Sequence, residues 1–149
     1  MTKREPCDFF EAEKLHRAAG EGNIPEMEKL LREGRKLNVL DDLCRGPLHY
    51  AVAGEHYKAV VWLLAQGADV NLFDAERIGE TALCVAAQSG YPEMVELLLR
   101  NGADPDIKGW MGQTARSRAK KRKDPEGREI AGMISKFHPL PVEPERGKK

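Results

Sequence analysis

Ligands for metals and partners for disulfides are scarce in this chain. Its three cysteines, Cys7, Cys44 and Cys84, stand far apart and form no CxxC pair. No His/Cys ligand spacing accompanies them, so neither a disulfide framework nor a zinc site is expected. A reducing compartment, cytoplasm or nucleus, is the simplest home. The longest apolar run, Ala59 to Ala65 (AVVWLLA), is far too short to span a bilayer. The opening MTKREPCDFFEAE has no apolar core of a signal peptide. No GxxxxGKS/T or GxGxxG phosphate loop occurs. No Ser/His/Asp or Cys/His grouping stands out, and no run of alternating oxygen ligands suits calcium. The chain is therefore expected to be no enzyme and to need no cofactor, metal or membrane.

What is present suits one soluble domain: 149 residues, 41% hydrophobic and 32% charged. Net charge is +0, but it is unevenly spread. Residues 1–115 hold 13 Lys+Arg against 19 Asp+Glu, a net of −6; residues 116–149 hold 11 against 5, a net of +6. An acidic body and a basic end prefer different partners.

Three segments look alike: residues 14–38, 47–71 and 82–106. Leu15, Leu48 and Leu83 recur at steps of 33 and 35, and Asn38, Asn71 and Asp106 recur at the same steps. Such a period marks a repeat array. In the second unit Leu48, Ala51 and Val52 share one helical face. Ala51 is small enough for a neighbouring helix to approach, and Gly54 is placed where a left-handed residue should end that helix. Val60, Val61, Leu63 and Leu64 pattern a second helix, which Gly67 ends. One unit cannot bury its own apolar faces, so the units must stack.

These segments resemble ankyrin repeats. The matching features are Pro47-Leu48-His49-x-Ala51, Leu63-Leu64-x-x-Gly67-Ala68-Asp69-Val70-Asn71 and Leu98-Leu99-x-x-Gly102-Ala103-Asp104. The resemblance covers about residues 8–135 and implies an all-α solenoid of about four helix-turn-helix units with short β-hairpin-like fingers. Its units are expected at 14–40, 41–73, 74–108 and 109–137, after a lead-in at 1–13 and before a tail at 138–149 read as disordered. The last unit rests on Gly112-Gln113-Thr114-Ala115, which opens like Gly79-Glu80-Thr81-Ala82, and on Ile130, Met133 and Ile134. Cys44 and Gly46 stand where the family carries Gly and Thr, Glu55 stands where it carries Gly, and Arg77-Ile78 is an insertion. The resemblance also makes His16 and His49, at one repeat position, structural parts of the turn before each first helix. Asp69, Asp74, Asp104 and Asp106 are the ordinary finger carboxylates.

The same resemblance implies docking of another protein on the concave face made by the finger tips and first helices. Aligned fingers put Phe9-Phe10, Asp42-Leu43, Ala75-Glu76 with Arg77-Ile78, and Trp110-Met111 at the tips. Arg45, Glu80 and Gln88 lie beside them. The ladder Phe9, Phe10, Leu43, Ile78, Trp110 and Met111 holds more large apolar side chains than an idle surface needs, and Trp is enriched in binding hot spots. A competing reading has Phe9-Phe10 sealing the N-terminal end and Trp110 folding down on the last unit.

The run Arg116, Arg118, Lys120, Lys121, Arg122 and Lys123 can be an import signal or a nucleic-acid patch, or else the solvated first helix of the last unit with only Ala115 and Ala119 facing in. The expected function is that of an adaptor, inhibitor or regulator, acting as a monomer on a protein partner, with nucleic acid not expected. The alternatives are a nuclear or nucleic-acid-associated regulator using residues 116–123, a bacterial effector or toxin-neutralising protein, a self-association module, and an enzyme with a pocket of scattered residues.

Overall fold

The computed structural model describes residues 6–76 and 79–137, with side chains described from residue 13 onward. Among the described residues eight α-helices run in order: α1 (Pro6–Gly20), α2 (Ile24–Arg32), α3 (Pro47–Ala53), α4 (Tyr57–Ala65), α5 (Ala82–Ser89), α6 (Pro92–Arg100), α7 (Ala115–Lys121) and α8 (Pro125–Lys136). A single 3₁₀ turn, Trp110–Gly112, precedes α7. The expectations for Arg77, Ile78 and the tail 138–149 fall outside the described residues, as do the side chains of Cys7, Phe9 and Phe10.

Local chemistry starts these helices. Asn23, Thr81, Thr114 and Asp124 each accept a hydrogen bond from a backbone N–H of the first turn that follows, satisfying a donor that has no partner inside the helix. Pro occupies the first turn of α2, α3, α6 and α8, where its missing N–H is harmless. Gly46 has no side chain with which to cap α3. His49, at the third helical position, supplies the reciprocal contact: its Nδ1 accepts the Gly46 N–H at 3.0 Å.

The helices pack in two rows. α1, α3, α5 and α7 pack successively on one another, and each packs on its own second helix, α2, α4, α6 or α8. Ala18, Ala19, Ala51, Ala86 and Ala119 are buried in the inner row, where small side chains permit close approach. Between the rows, equivalent large side chains fill successive layers: Leu15, Leu48 and Leu83, then Met27, Val60, Val95 and Ile130. Each of these seven is at most 3% exposed, so the core is continuous along the stack and has no single centre.

Polar side chains join the units. Asn38 accepts the Asp69 N–H at 2.8 Å, and Asn71 accepts the Asp104 N–H at 2.8 Å. The amide nitrogen of Asn71 donates to the Gly102 carbonyl at 3.0 Å. The third equivalent, Asp106, instead holds Arg116 of α7 through two oxygens at 2.9 and 3.2 Å. His16 donates to the Val39 carbonyl, and His49, from the equivalent position, to the Glu80 carbonyl. The histidines are thus fasteners. His56, a residue with no partner legible in the sequence, donates from Nε2 to the Gly20 carbonyl at 2.9 Å.

The fingers at 41–45 and 109–113 are short hairpin-like turns, closed by the Asp41 N–H to the Arg45 carbonyl and the Gly109 N–H to the Gln113 carbonyl, both 2.8 Å, and among the described residues they contain no strand. Two expectations are corrected. Residues 9 and 10 lie in helix α1 and not at a finger tip, because that helix begins at Pro6. The left-handed residue after α3 is Glu55 (φ 60°), while Gly54 keeps a helical φ of −81°. Gly54 is needed for space instead, since a Cβ there would meet the His56 ring at 2.7 Å and the Gly20 carbonyl oxygen at 3.0 Å.

Candidate functional site

The inner helices and the turns before them form one face, and its two ends differ in chemistry. At the N-terminal end a groove of about 400 Å³ lies between α1, α3 and the turn at 41–43. Asp41 builds this end. Its Oδ1 accepts the N–H groups of Leu43 (2.9 Å) and Arg45 (3.0 Å), and its Oδ2 accepts the Tyr50 hydroxyl. Partial burial and that carboxylate push the Tyr50 phenol up to about 12. The turn so fixed presents Leu43 at 69% exposure, with Asp42 exposed beside it. Glu13 of α1 faces the same groove, as does one cation, Arg17. Among the described residues neither Glu13 nor Asp42 has a hydrogen-bond or ion-pair partner.

The middle is spanned by an ion network. Glu80 precedes α5 and stands between two arginines. Its Oε1 is 3.3 Å from Arg45 and its Oε2 is 2.6 Å from Arg118. Arg118 also donates to Gln88 on α5. Arg45, Glu80 and Gln88, expected as partner contacts, are therefore brought together, but as links between units.

At the C-terminal end a second groove, about 340 Å³, lies between α5, α7 and the 3₁₀ turn. Trp110 and Met111 flank it, 49% and 75% exposed. Trp110 keeps about half its surface exposed on the rim of this groove. Met111 has φ 57° and Gly112 φ 70°; a left-handed methionine is strained, and such strain gathers at functional sites. Lys121 reaches back to Gln113 at 2.9 Å, and Arg118 and Arg122 complete a positive lining.

The basic run divides in two. Arg118 is only 8% exposed, so α7 turns in an arginine as well as Ala115 and Ala119, contrary to the sequence expectation. Burial of that charge is tolerable because Glu80 and Gln88 meet it. Arg116 holds Asp106, whose carboxyl is kept below its ordinary range by the guanidinium. Arg122 pairs with Asp124 and donates to the Gly90 carbonyl at 2.8 Å and the Ala87 carbonyl at 3.3 Å. Lys120, Lys121 and Lys123 remain exposed.

Glu76, like Ala75, is exposed at the third finger, beside the two residues that are not described. Glu13, Tyr50 and Gln113 were not singled out by sequence. A turn-forming Asp nine residues before a tyrosine is the signal that could have added Tyr50 to the finger tip Asp42-Leu43. Among the described residues no group of three or more His, Cys, Asp or Glu could hold a metal ion, and no helix is long and apolar enough to cross a membrane.

Comparison with known proteins agrees with this geometry. Residues 15–109 match the family described as ankyrin repeats in three copies. The chain is 38% identical over 106 residues to the ankyrin repeat and KH domain-containing protein mask-1 of Caenorhabditis elegans, covering 68% of this chain and 4% of that one. It is 34% identical over 118 residues to the human transient receptor potential cation channel subfamily A member 1, covering 77% and 10%. It is 37% identical over 90 residues to human ankyrin repeat and SOCS box protein 3, covering 60% and 17%. The chain thus spans less than a fifth of the length of these curated relatives.

Proposed function

The chain belongs to the ankyrin-repeat family, whose repeats bind other proteins, and from that premise we propose that it works by docking one protein partner on the face between its two grooves. Catalysis is no part of this reading; an adaptor, inhibitor or regulator acts by occupying its partner. The observation that carries it is the pair Trp110 and Met111, large, apolar and exposed on a strained turn beside a groove. Leu43 repeats the pattern at the other end. Central aromatic and methionine side chains rimmed by polar groups are the usual anchors of protein interfaces.

Nucleic acid is disfavoured as the partner. Three of the six cations in 116–123 are engaged with Asp106, Glu80 and Asp124, which leaves lysines 120, 121 and 123 as a small positive patch. Binding of a phosphate backbone grows with the number of cations free to replace counterions.

The test is capture of a partner from the native cell by the intact chain and by Trp110→Ala/Met111→Ala, after circular dichroism confirms equal helicity. A partner held by the first and lost by the second is the expected result. A partner retained equally by both sinks the reading.

A further inference from the structure

Between its two grooves the docking face changes sign, and this restricts what can lie on it. The first groove carries Glu13 and Asp42 without partners, beside the apolar Leu43; Arg17 leaves it net negative. The second carries Lys121 with no acidic partner, beside Trp110 and Met111 and two arginines engaged with Glu80 and Asp124, and no carboxylate lines it. Between them Arg45 is neutralised by Glu80, which also pairs with Arg118. Among the groove-lining residues, the charges available to a ligand are therefore of opposite sign at the two ends.

The spacing follows from the stack. The first groove lies at the α1/α3 step and the second at the α5/α7 step, two helix spacings further on. Packed helices stand about 8–10 Å apart, so the groove centres are roughly 16–20 Å apart. An extended peptide rises about 3.3 Å per residue, so about five or six residues bridge that distance.

We propose that the face receives one extended segment of a partner protein with charge at both ends: a Lys or Arg with an apolar neighbour over Glu13, Asp42 and Leu43, and an Asp or Glu with an aromatic or large apolar neighbour over Lys121, Trp110 and Met111, about six residues away. The inference rests on the protein-docking reading above and gives that partner its chemistry. Opposite charges would attract the segment to each end, and like charges at either end would reject a segment lying in the wrong direction.

The probe is a pair of fluorescent ten-residue peptides. One has two lysines and a leucine first and two glutamates and a phenylalanine last, with Gly/Ser between; the other runs in the opposite order. A third peptide of the same composition alternates its charges. Fluorescence anisotropy with the full chain is expected to give one of the two ordered peptides at least tenfold tighter binding than the alternating one. Lys121→Glu, at an exposed position bonded only to Gln113, is expected to weaken that peptide at least tenfold. Replacing the peptide's glutamates by lysines is expected to restore binding to that variant. Ordered and alternating peptides binding within twofold of each other would overturn the proposal, as would indifference to Lys121→Glu. Sedimentation showing a dimer that Trp110→Ala dissolves would also overturn it, by making a second copy the occupant. If Trp110→Ala/Met111→Ala loses a captured partner while the peptides are not discriminated, only this inference falls and the docking reading stands.

Discussion

Arg118 Nη1 lies 2.6 Å from Glu80 Oε2, and through this contact the last unit is tied to the start of the third. The two side chains are 9% and 18% exposed, well below the exposure of an ordinary surface pair. Breaking a fully buried pair costs about 3–5 kcal/mol. Partial exposure and the second partners, Gln88 and Arg45, reduce the expected loss for Arg118→Met to about 1–3 kcal/mol. Urea unfolding should show that loss, and a double-mutant cycle with Glu80→Gln should return a coupling of about 1 kcal/mol or more. Strict additivity of the two changes would refute the link.

The lysines of the basic run should behave differently. Lys120→Ala and Lys123→Ala should change stability by less than about 0.5 kcal/mol, as surface substitutions do. Arg122→Ala removes donors to two carbonyls of the preceding unit and should cost about 1–3 kcal/mol. Equal midpoints for all three variants would show that Arg122 is not a clamp.

Glu55 is a strained residue, left-handed at φ 60° and exposed. An L-residue with a Cβ disfavours that region by about 1–2 kcal/mol, though glycine loses part of the gain to its freer unfolded chain. Glu55→Gly should therefore stabilise by up to about 1 kcal/mol. The reverse change at its equivalent, Gly22→Ala, should destabilise, since the new Cβ would sit 2.7 Å from Nδ1 of His56 at φ 69°. Thermal melts decide both.

Burial holds the His49 imidazole below its ordinary value of 6.5, with Arg45 adding to the effect and the Glu80 carbonyl opposing it. Its Nδ1 must stay unprotonated to accept the Gly46 N–H. As pH falls the unfolded chain takes up this proton first. The stability contributed by neutral His49 is complete above about pH 6.5 and is lost as pH falls from there toward the lower folded value. Tm should drop between about pH 7 and pH 5 in the intact chain and less steeply in His49→Gln. Asp106 and Asp124 act below their ordinary 3.8, outside that window. Parallel curves for the two proteins would refute the assignment.

The repeat, its helices and the core layers were legible because they depend on spacing along the chain, and Leu15, Leu48 and Leu83 sit where the period placed them. Cys44 and Glu55, which depart from the family's glycines, mark two of the three strained non-glycine residues. Less was legible wherever the outcome depended on contacts across units. Nothing in the run 116–123 distinguishes Arg118 from Lys120, because the difference is made by Glu80, 38 positions earlier. The exchange of roles between Gly54 and Glu55 likewise depends on His56 packing against Gly20, a contact between two units. Glu13 and Tyr50 look unremarkable until α1 and α3 lie side by side.

The joins along the stack are not all of one kind. Asn38 and Asn71 stitch the first three units with neutral amides, which neither acid nor electrolyte disturbs. At the third join the same position holds a carboxylate, and Asp106 grips Arg116 through two charge-assisted hydrogen bonds in a partly exposed pair. Concentrated electrolyte or strong acid weakens this tether, which its two neutral counterparts resist. The C-terminal unit carries Arg118 and Lys121, so the placing of the positive half of the face hangs on ion pairs to Asp106 and Glu80.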